Sequence, residues 1–359
     1  MELFNEGQVI FYAEDKQLKK AGVFFNPKRE FDRDLNVLVV SSLIRDKSAG
    51  LELFSGSGIR GLRLCIESNK FNKFTFNDIK SYDTVKRNLE LNKKRLLSTD
   101  KTVNNTDATL FESSSKYDYI DIDPFGSPVF YLDSALNLLK RGGVLAVSAT
   151  DTAALLGSAQ KACLRKYGSV SLKTSYSNEL GIRILIKKVI EYGLNYSINL
   201  VPILFNFEGN FIRIYFKADP SKIKPSIGYA YQCYKCPNRV TKALLKCDYC
   251  GGRMHKIGPM WLGSLHNEKY LNKMISSLKK NRMKFSDKAS LKLMNYLNAV
   301  LSELPVFSYY TTSEISSFLK QPEIKISKFK NRTVLSPKGF RTKNSFSNLI
   351  ATLDSKQSE

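Results

Sequence analysis

Asp123-Pro124-Phe125-Gly126 closes the apolar run Tyr117–Ile122 and puts an acid, a proline and an aromatic at the end of a strand-like segment. Those residue types suit one task, holding the exocyclic amine of a flat nucleobase while an electrophile attacks it. Such an amine is a poor nucleophile because its lone pair is delocalised into the ring. A carboxylate at Asp123, helped by the Pro124 carbonyl, can accept its hydrogens and stabilise charge as the nitrogen becomes tetrahedral. Phe125 can stack on the base. Asp-Pro pairs also open ordinary turns, so the weight of the motif comes from what precedes it.

Gly56-Ser57-Gly58-Ile59-Arg60-Gly61 has the G-x-G-x-x-G spacing and stands between a strand-like and a helical run. Asp78 follows the next strand, where a carboxylate can grip ribose hydroxyls. A nicotinamide dinucleotide competes for this pattern. Against it, Glu52 precedes the loop, and a carboxylate there suits a cationic amino-acid moiety better than a pyrophosphate. No hydride-transfer constellation follows. S-adenosylmethionine carries an ammonium, a sulfonium and a ribose, and acidic strand ends suit all three. Asp107, at the following strand end, can accept from an adenine amine or close an Asx turn.

Cys233-x-x-Cys236 and Cys247-x-x-Cys250 are spaced for tetrahedral zinc on two knuckles, with Gly251-Gly252 permitting the tight turn. A redox dithiol needs only one such pair. Four thiolates leave no open position, so this zinc is expected to be structural. Arg239, Lys242, Lys246 and Arg253 surround the knuckles and could touch phosphates. Cys65 and Cys163 stand singly in helical segments as small buried hydrophobes.

Positioning these groups requires strands that end together. Leu51–Phe54, Phe74–Phe76, Tyr117–Ile122 and Val144–Ser148 read as strands, and Ile59–Ser68, Tyr82–Leu97, Val129–Leu139 and Leu180–Tyr192 as helices between and after them. Ile198–Phe205 and Phe211–Ala218 read as a closing antiparallel pair. Such alternation predicts a doubly wound α/β sheet. The proline- and charge-rich segment 219–225 reads as a linker, giving a catalytic domain over 1–219 and a smaller α+β zinc-binding domain over 220–359.

The charge divides in the same place. Of 56 Lys and Arg against 33 Asp and Glu, residues 1–220 hold 31 and 25, and the remainder holds 25 and 8. A strongly basic second half suits a polyanion. Lys269, Lys273, Lys279, Lys280, Arg282, Lys284, Lys288 and Lys292 decorate a helical stretch over Tyr270–Leu304, and Tyr309-Tyr310 and the tail Lys325–Arg341 join aromatics to cations as RNA binders do. No run is apolar enough for a spanning helix, and the first residues lack a secretory signal. The expectation is an intracellular protein, nuclear or cytoplasmic, without a membrane partner and monomeric.

The run Asp121-Ile122-Asp123-Pro124-Phe125-Gly126-Ser127-Pro128 closely resembles the tRNA guanine-N2 dimethyltransferase family, class I methyltransferases that modify the guanosine at position 26. Phe24-Phe25-Asn26-Pro27 followed by Arg33-Asp34, the glycine loop, and Gly258-Pro259-Met260-Trp261-Leu262-Gly263 carry the resemblance across both halves. It implies a Rossmann-like fold, S-adenosylmethionine as methyl donor and tRNA as partner. It also implies that Arg33, Arg60, Asp78, Asp107 and Ala108 line the cofactor pocket, that Asp123 holds the amine, and that Phe24 and Phe125 sandwich the base. Phe25, Asp32 and Glu52 depart from the family pattern, where a tyrosine, an amide and an aspartate are usual. Two other readings stand beside this one: an amine methyltransferase acting on DNA, and a zinc-containing RNA-binding protein with a vestigial methyltransferase fold.

Overall fold

The computed structural model describes residues 1–15, 24–96, 98–220, 224–280 and 284–355. A hairpin of β1 (Glu2–Glu6) and β2 (Val9–Asp15) begins the chain, and the short β3 (Phe24–Phe25) runs parallel to β2. Helix α1 (Glu30–Leu43) leads into β4 (Ser48–Glu52). Helices and strands then alternate: α2 (Ile59–Arg63), β5 (Phe71–Asn77), α3 (Tyr82–Leu91), β6 (Asp100–Asn104), β7 (Tyr117–Ile122), α4 (Leu132–Leu138) and β8 (Leu139–Ala149). After α5 (Thr152–Leu155), α6 (Gln160–Tyr167) and α7 (Ser177–Asn195), the pair β9 (Asn199–Phe207) and β10 (Ile212–Asp219) completes the sheet.

The seven strands β4 to β10 are ordered β6-β5-β4-β7-β8-β10-β9. β4 to β8 pair in parallel, and β10 is antiparallel to both neighbours. Helices cover both faces, which is why these strands are apolar on both sides. Phe74, Phe76, Tyr119, Ile120, Ile122 and Val144 to Val147 are all buried. Chain order reverses between β4 and β7, so their carboxyl ends form a crevice where a ligand can sit. Glu52, the glycine loop and Asp123 all lie at that crevice.

Three helices differ from their sequence expectation; of Val129–Leu139, only Leu132–Leu138 is α-helical, behind a 3-10 turn over Pro128–Tyr131, and Leu139 already opens β8. The segment from Ile59 is α-helical through Arg63 and then widens into a π turn over Leu64–Ser68. α3 stops at Leu91 because the Asn92 side chain turns to β2, donating to the Ile10 carbonyl and accepting from the Ile10 N–H.

Beyond residue 224, β11 (Ile227–Cys233), β12 (Arg239–Val240) and β13 (Met254–Trp261) form a sheet ordered β12-β11-β13. They precede α8 (Glu268–Lys280) and α9 (Asp287–Leu301). β14 (Tyr310–Thr311), α10 (Thr312–Phe318), β15 (Gly339–Phe340) and α11 (Phe346–Ser355) follow. This half is not a separate lobe in its packing. β13 lies on α7, α8 and α9 lie on α1, and Ile257, Met260, Met274, Leu278, Leu293 and Leu297 join the main core. A smaller core gathers Tyr310, Ile315, Phe340, Phe346 and Leu349 against Cys233, Cys236 and Cys247.

That arrangement corrects three expectations for the basic half. Tyr309 and Tyr310 are buried rather than presented to RNA. Arg341, at the end of the tail segment, is buried between Glu179 at 2.9 Å and Glu303 at 2.6 Å. Arg239 is equally enclosed: it pairs with Glu314 and lies between the Tyr176 and Tyr310 rings, 4.1 and 4.0 Å from their centroids. Arginine satisfies buried carboxylates and stacks on aromatics at once, so basic residues near aromatics need not face solvent. Lys269, Lys273, Lys279, Lys280, Lys288 and Lys292 do remain exposed along α8 and α9, while Arg282 lies outside the described residues. Among the described residues no helix is long and apolar enough to cross a membrane.

Candidate active site

The glycine loop is built from backbone that other residues resist. Gly56 and Gly58 have φ of +53° and +77°, the left-handed region. The Gly56 N–H donates to Asp78 Oδ2 at 2.8 Å, and Asp78 Oδ1 accepts from the Lys80 and Ser81 N–H groups. Asp78 therefore braces the loop against the turn after β5. Gly61 lets α2 close on the sheet, since a Cβ there would lie 2.4 Å from the Phe76 ring and 2.7 Å from Glu52 Oε2. Glu52 Oε2 and Arg60 Nη1 are buried beside this loop without a hydrogen-bond partner. One unmatched acceptor and one unmatched donor are the complement of an amino-acid ligand's ammonium and carboxylate. The residues present thus fit S-adenosylmethionine. Burial first, and then the neighbouring Asp121, push the Glu52 carboxyl well above the usual range.

Three carboxylates and three guanidiniums interlock at the carboxyl end of β7. Asp123 Oδ2 accepts from Arg60 at 2.9 Å and lies 3.2 Å from Arg29 Nη1. Asp32 has no exposed surface, and its Oδ2 accepts from Arg60 at 3.0 Å and Arg29 at 3.3 Å. Arg213, also fully buried, donates to Asp121 and to Ser148 and lies 3.8 Å from Asp32. Asp121 further accepts from the Tyr119 hydroxyl at 2.6 Å. Burial opposes charge on Asp123, but Arg29, Arg60, Arg213 and a hydrogen bond with Ser148 outweigh it and hold its carboxyl well below the usual range. The same contest leaves Asp32 lowered to about 2, with Arg60 the main counter-charge.

The Asp123 loop is clamped by one residue on β8's side. Gly126, at φ +90°, donates to Thr150 Oγ1 at 2.6 Å and accepts from the Thr150 N–H at 2.9 Å. Phe125, beside it, is 85% exposed.

Among the residues singled out from sequence, Glu52, Gly56, Gly58, Arg60, Asp78, Asp123, Pro124 and Phe125 gather at the β4–β7 crevice. Arg33 is committed elsewhere: it donates to Glu6, at 2.6 Å through Nε, and to the Asn26 carbonyl at 3.1 Å. Asp107 is exposed at the end of β6, where its Oδ1 accepts from the Thr109 N–H and hydroxyl, while Ala108 beside it is buried. The side chain of Phe24 lies outside the described residues. Sequence reasoning did not single out Arg29 and Arg213 at all. Arg213 had a signal, a lone cation inside the apolar run Phe211–Phe216, where an unpaired charge would be prohibitive. Arg29 had none.

The four cysteines of the knuckles converge. All four Sγ atoms lie within 4.8 Å of one another, with Cys233 and Cys250 at 3.5 Å and Cys236 and Cys247 at 3.6 Å. All are free thiols. A tetrahedron with ~2.3 Å metal–sulfur bonds has edges near 3.8 Å, so the donor set fits zinc. The Lys235 N–H and Asn238 Nδ2 point at Cys233 and Cys247 sulfurs, both at 3.3 Å. His255 and His266 take no part in this cluster.

The strand order, the glycine loop and the acids at the strand ends together define a Rossmann-like class I methyltransferase. Comparison with known proteins makes the assignment narrower. The N2,N2-dimethylguanosine tRNA methyltransferase family matches residues 7–353. The tRNA (guanine(26)-N(2)/guanine(27)-N(2))-dimethyltransferase of Aquifex aeolicus is 33% identical over 92% of this chain and 90% of that protein. The tRNA (guanine(26)-N(2))-dimethyltransferase of Saccharolobus islandicus is 33% identical over 98% of each. A solved complex of Trm1 from Pyrococcus horikoshii with S-adenosyl-L-methionine superposes with a TM-score of 0.84 at 27% identity, covering 98% of this chain and 99% of that one. The chain belongs to the N2,N2-dimethylguanosine tRNA methyltransferase family.

Proposed function

We propose that this chain transfers one or two methyl groups from S-adenosylmethionine to the N2 amine of the guanosine at position 26 of tRNA. The observation that carries this reading is the Asp123 carboxylate, held ionised by Arg29 and Arg60 at the mouth of the β4–β7 crevice, with the Phe125 ring projecting beside it. Family membership supports the choice of guanine and of tRNA.

When bound, S-adenosylmethionine would supply a methyl group on a positively charged sulfur, an electrophile that needs no metal. Glu52, Asp78 and the glycine loop would hold its amino-acid and ribose parts, with Arg60 facing its carboxylate. Asp107 and Ala108 would meet its adenine. Asp123, with the Pro124 carbonyl, accepts the amine hydrogens and aims the nitrogen lone pair, a task of positioning above all. Because Asp123 stays ionised, it stabilises charge growing on nitrogen without itself taking up the proton at neutral pH. The released proton passes to water. Phe24 and Phe125 sandwich the base.

In this reading residues 1–219 perform catalysis, and residues 220–359 grip the tRNA through the exposed lysines of α8 and α9. A structural zinc in the four-cysteine cluster stabilises this second part. The working unit is a monomer, in nucleus or cytoplasm. Transfer of labelled methyl groups to tRNA, with DNA as control and nucleoside analysis of the product, tests the assignment. Label on N2-methylated guanosine supports it, and label on DNA alone overturns it. Asp123→Ala should abolish transfer while binding the methyl donor.

A further inference from the structure

Asn88 lies on α3 with none of its surface exposed. Its Oδ1 accepts from the Tyr12 N–H at 2.7 Å, and its Nδ2 donates to the Tyr12 carbonyl at 2.9 Å and the Ser57 carbonyl at 2.8 Å. One side-chain amide therefore satisfies three backbone groups from two distant segments. Ser57 stands between Gly56 and Gly58. Tyr12 stands in β2, which pairs with β3 through Glu14–Phe24 and Asp15–Phe25. Arg87, the preceding residue of α3, lays its guanidinium 3.7 Å over the Tyr12 ring centroid.

Asn92, one turn further on, offers a natural comparison. It bonds β2 in the same manner, donating to the Ile10 carbonyl at 2.6 Å and accepting from the Ile10 N–H at 3.3 Å. Its Nδ2 also donates to the Asn88 carbonyl at 2.8 Å. Among the described residues its hydrogen bonds reach β2 and α3 and not the glycine loop. Both asparagines anchor the hairpin, and Asn88 joins it to the cofactor loop as well.

We propose that Asn88 is a positioning residue that couples the glycine loop to the N-terminal hairpin, so that cofactor binding orders the strands leading to Phe24. The proposal rests on the cofactor reading above. A ligand that fixes the Ser57 peptide also fixes the Asn88 amide in the orientation β2 requires. By linkage an ordered hairpin strengthens cofactor binding by the same factor. Freeing the amide leaves buried backbone groups without partners, which the folded loop resists.

Hydrogen exchange of the full chain with and without S-adenosylmethionine, joined to calorimetric binding, tests this. In the unmutated protein the cofactor should slow exchange across Val9–Asp15 several-fold. Asn88→Ala should bind cofactor about tenfold more weakly, equivalent to about 1.4 kcal/mol, and lose that distant protection. Asn88→Asp keeps the acceptor for Tyr12 and loses both donated bonds, so it should behave likewise. Asn92→Ala, which loosens the hairpin but leaves its joint to Ser57 in place, should weaken cofactor binding less than Asn88→Ala does and keep the cofactor-dependent protection, though its hairpin exchanges faster throughout. Cofactor binding that leaves Val9–Asp15 unchanged in the unmutated protein overturns the coupling, whatever the variants do. So does a folded Asn88→Ala with unaltered affinity. Failure of the unmutated protein to bind S-adenosylmethionine at all overturns the cofactor reading, and the coupling with it.

Discussion

Replacing Asp32 by asparagine should destabilise this protein far more than its size suggests, and a second substitution should restore much of the loss. Asp32 has no exposed surface and receives Arg60 at 3.0 Å, Arg29 at 3.3 Å and Asn206 at 3.3 Å, with Arg213 at 3.8 Å. Three guanidiniums balance Asp32, Asp121 and Asp123. Asp32→Asn leaves one buried positive charge unmatched and turns an amide N–H₂ towards cations. Breaking a buried pair from one side costs about 3–5 kcal/mol. Arg29 and Asp123 are 15% and 14% exposed, so some water screens the cluster and about 3 kcal/mol is expected. Arg29→Met in the Asp32→Asn background removes the surplus cation and keeps an apolar contact with Phe211, over whose ring the guanidinium lies at 4.1 Å. That double variant should recover about 2 kcal/mol. Urea unfolding of the four proteins at constant m-value gives the coupling energy directly. Asp32→Asn within about 0.5 kcal/mol of the parent, or a double variant that loses the plain sum of the singles, would refute the buried charge balance.

Phe125→Ala should lower kcat/KM for tRNA roughly 5- to 100-fold, the worth of one base stack, with little change in melting temperature. A large fall in stability would instead mark Phe125 as a core aromatic. Cys250→Ser, or chelation of the metal, should lower the melting temperature by roughly 10 °C and speed proteolysis between 227 and 350, because the small core stands on the knuckles. Cofactor affinity should change little, since the cluster packs in the smaller core while Ile59, Leu62 and Val85 around the glycine loop belong to the main one. The carboxyls of Glu6, Asp32, Asp123 and Glu179 are held below their usual values of 3.8 and 4.5, each by arginine partners that overcome burial. Their stabilisation is fully present above about pH 4.5 and is lost as pH falls towards 2. Urea midpoints measured from pH 6 to 3 should fall steeply below 4.5, and a flat profile would contradict the arginine pairing.

The chemistry of the site was legible because it is written in local spacing. A G-x-G-x-x-G run before a helix, an acid at a strand end and paired Cys-x-x-Cys knuckles each declare themselves within a few residues. The strands were legible for a similar reason, since strands of a doubly wound sheet are apolar on both faces and bounded by loops. Asp107 illustrates the limit: sequence left it open between an adenine contact and an Asx turn, and in the fold its Oδ1 closes a turn with Thr109. The basic half was the least readable. Arg239, Tyr309, Tyr310 and Arg341 look like an RNA face in one dimension and are interior in three. Composition reports how many cations exist, and only packing reports which of them are already neutralised.

By itself the sequence determined the kinds of group available and the order in which strand ends present them, because side-chain chemistry and strand periodicity are properties of neighbouring residues. Tertiary structure decided the partners. Asp123 is kept ionised by Arg29, Arg60 and Arg213, which come from the entry to α1, the glycine loop and β10. Arg33 binds Glu6, and Asn88 joins residues 12 and 57. Hydrogen bonds act only at contact and ion-pair energies fall with spatial distance, so both depend on which segments the fold brings together and not on their separation along the chain.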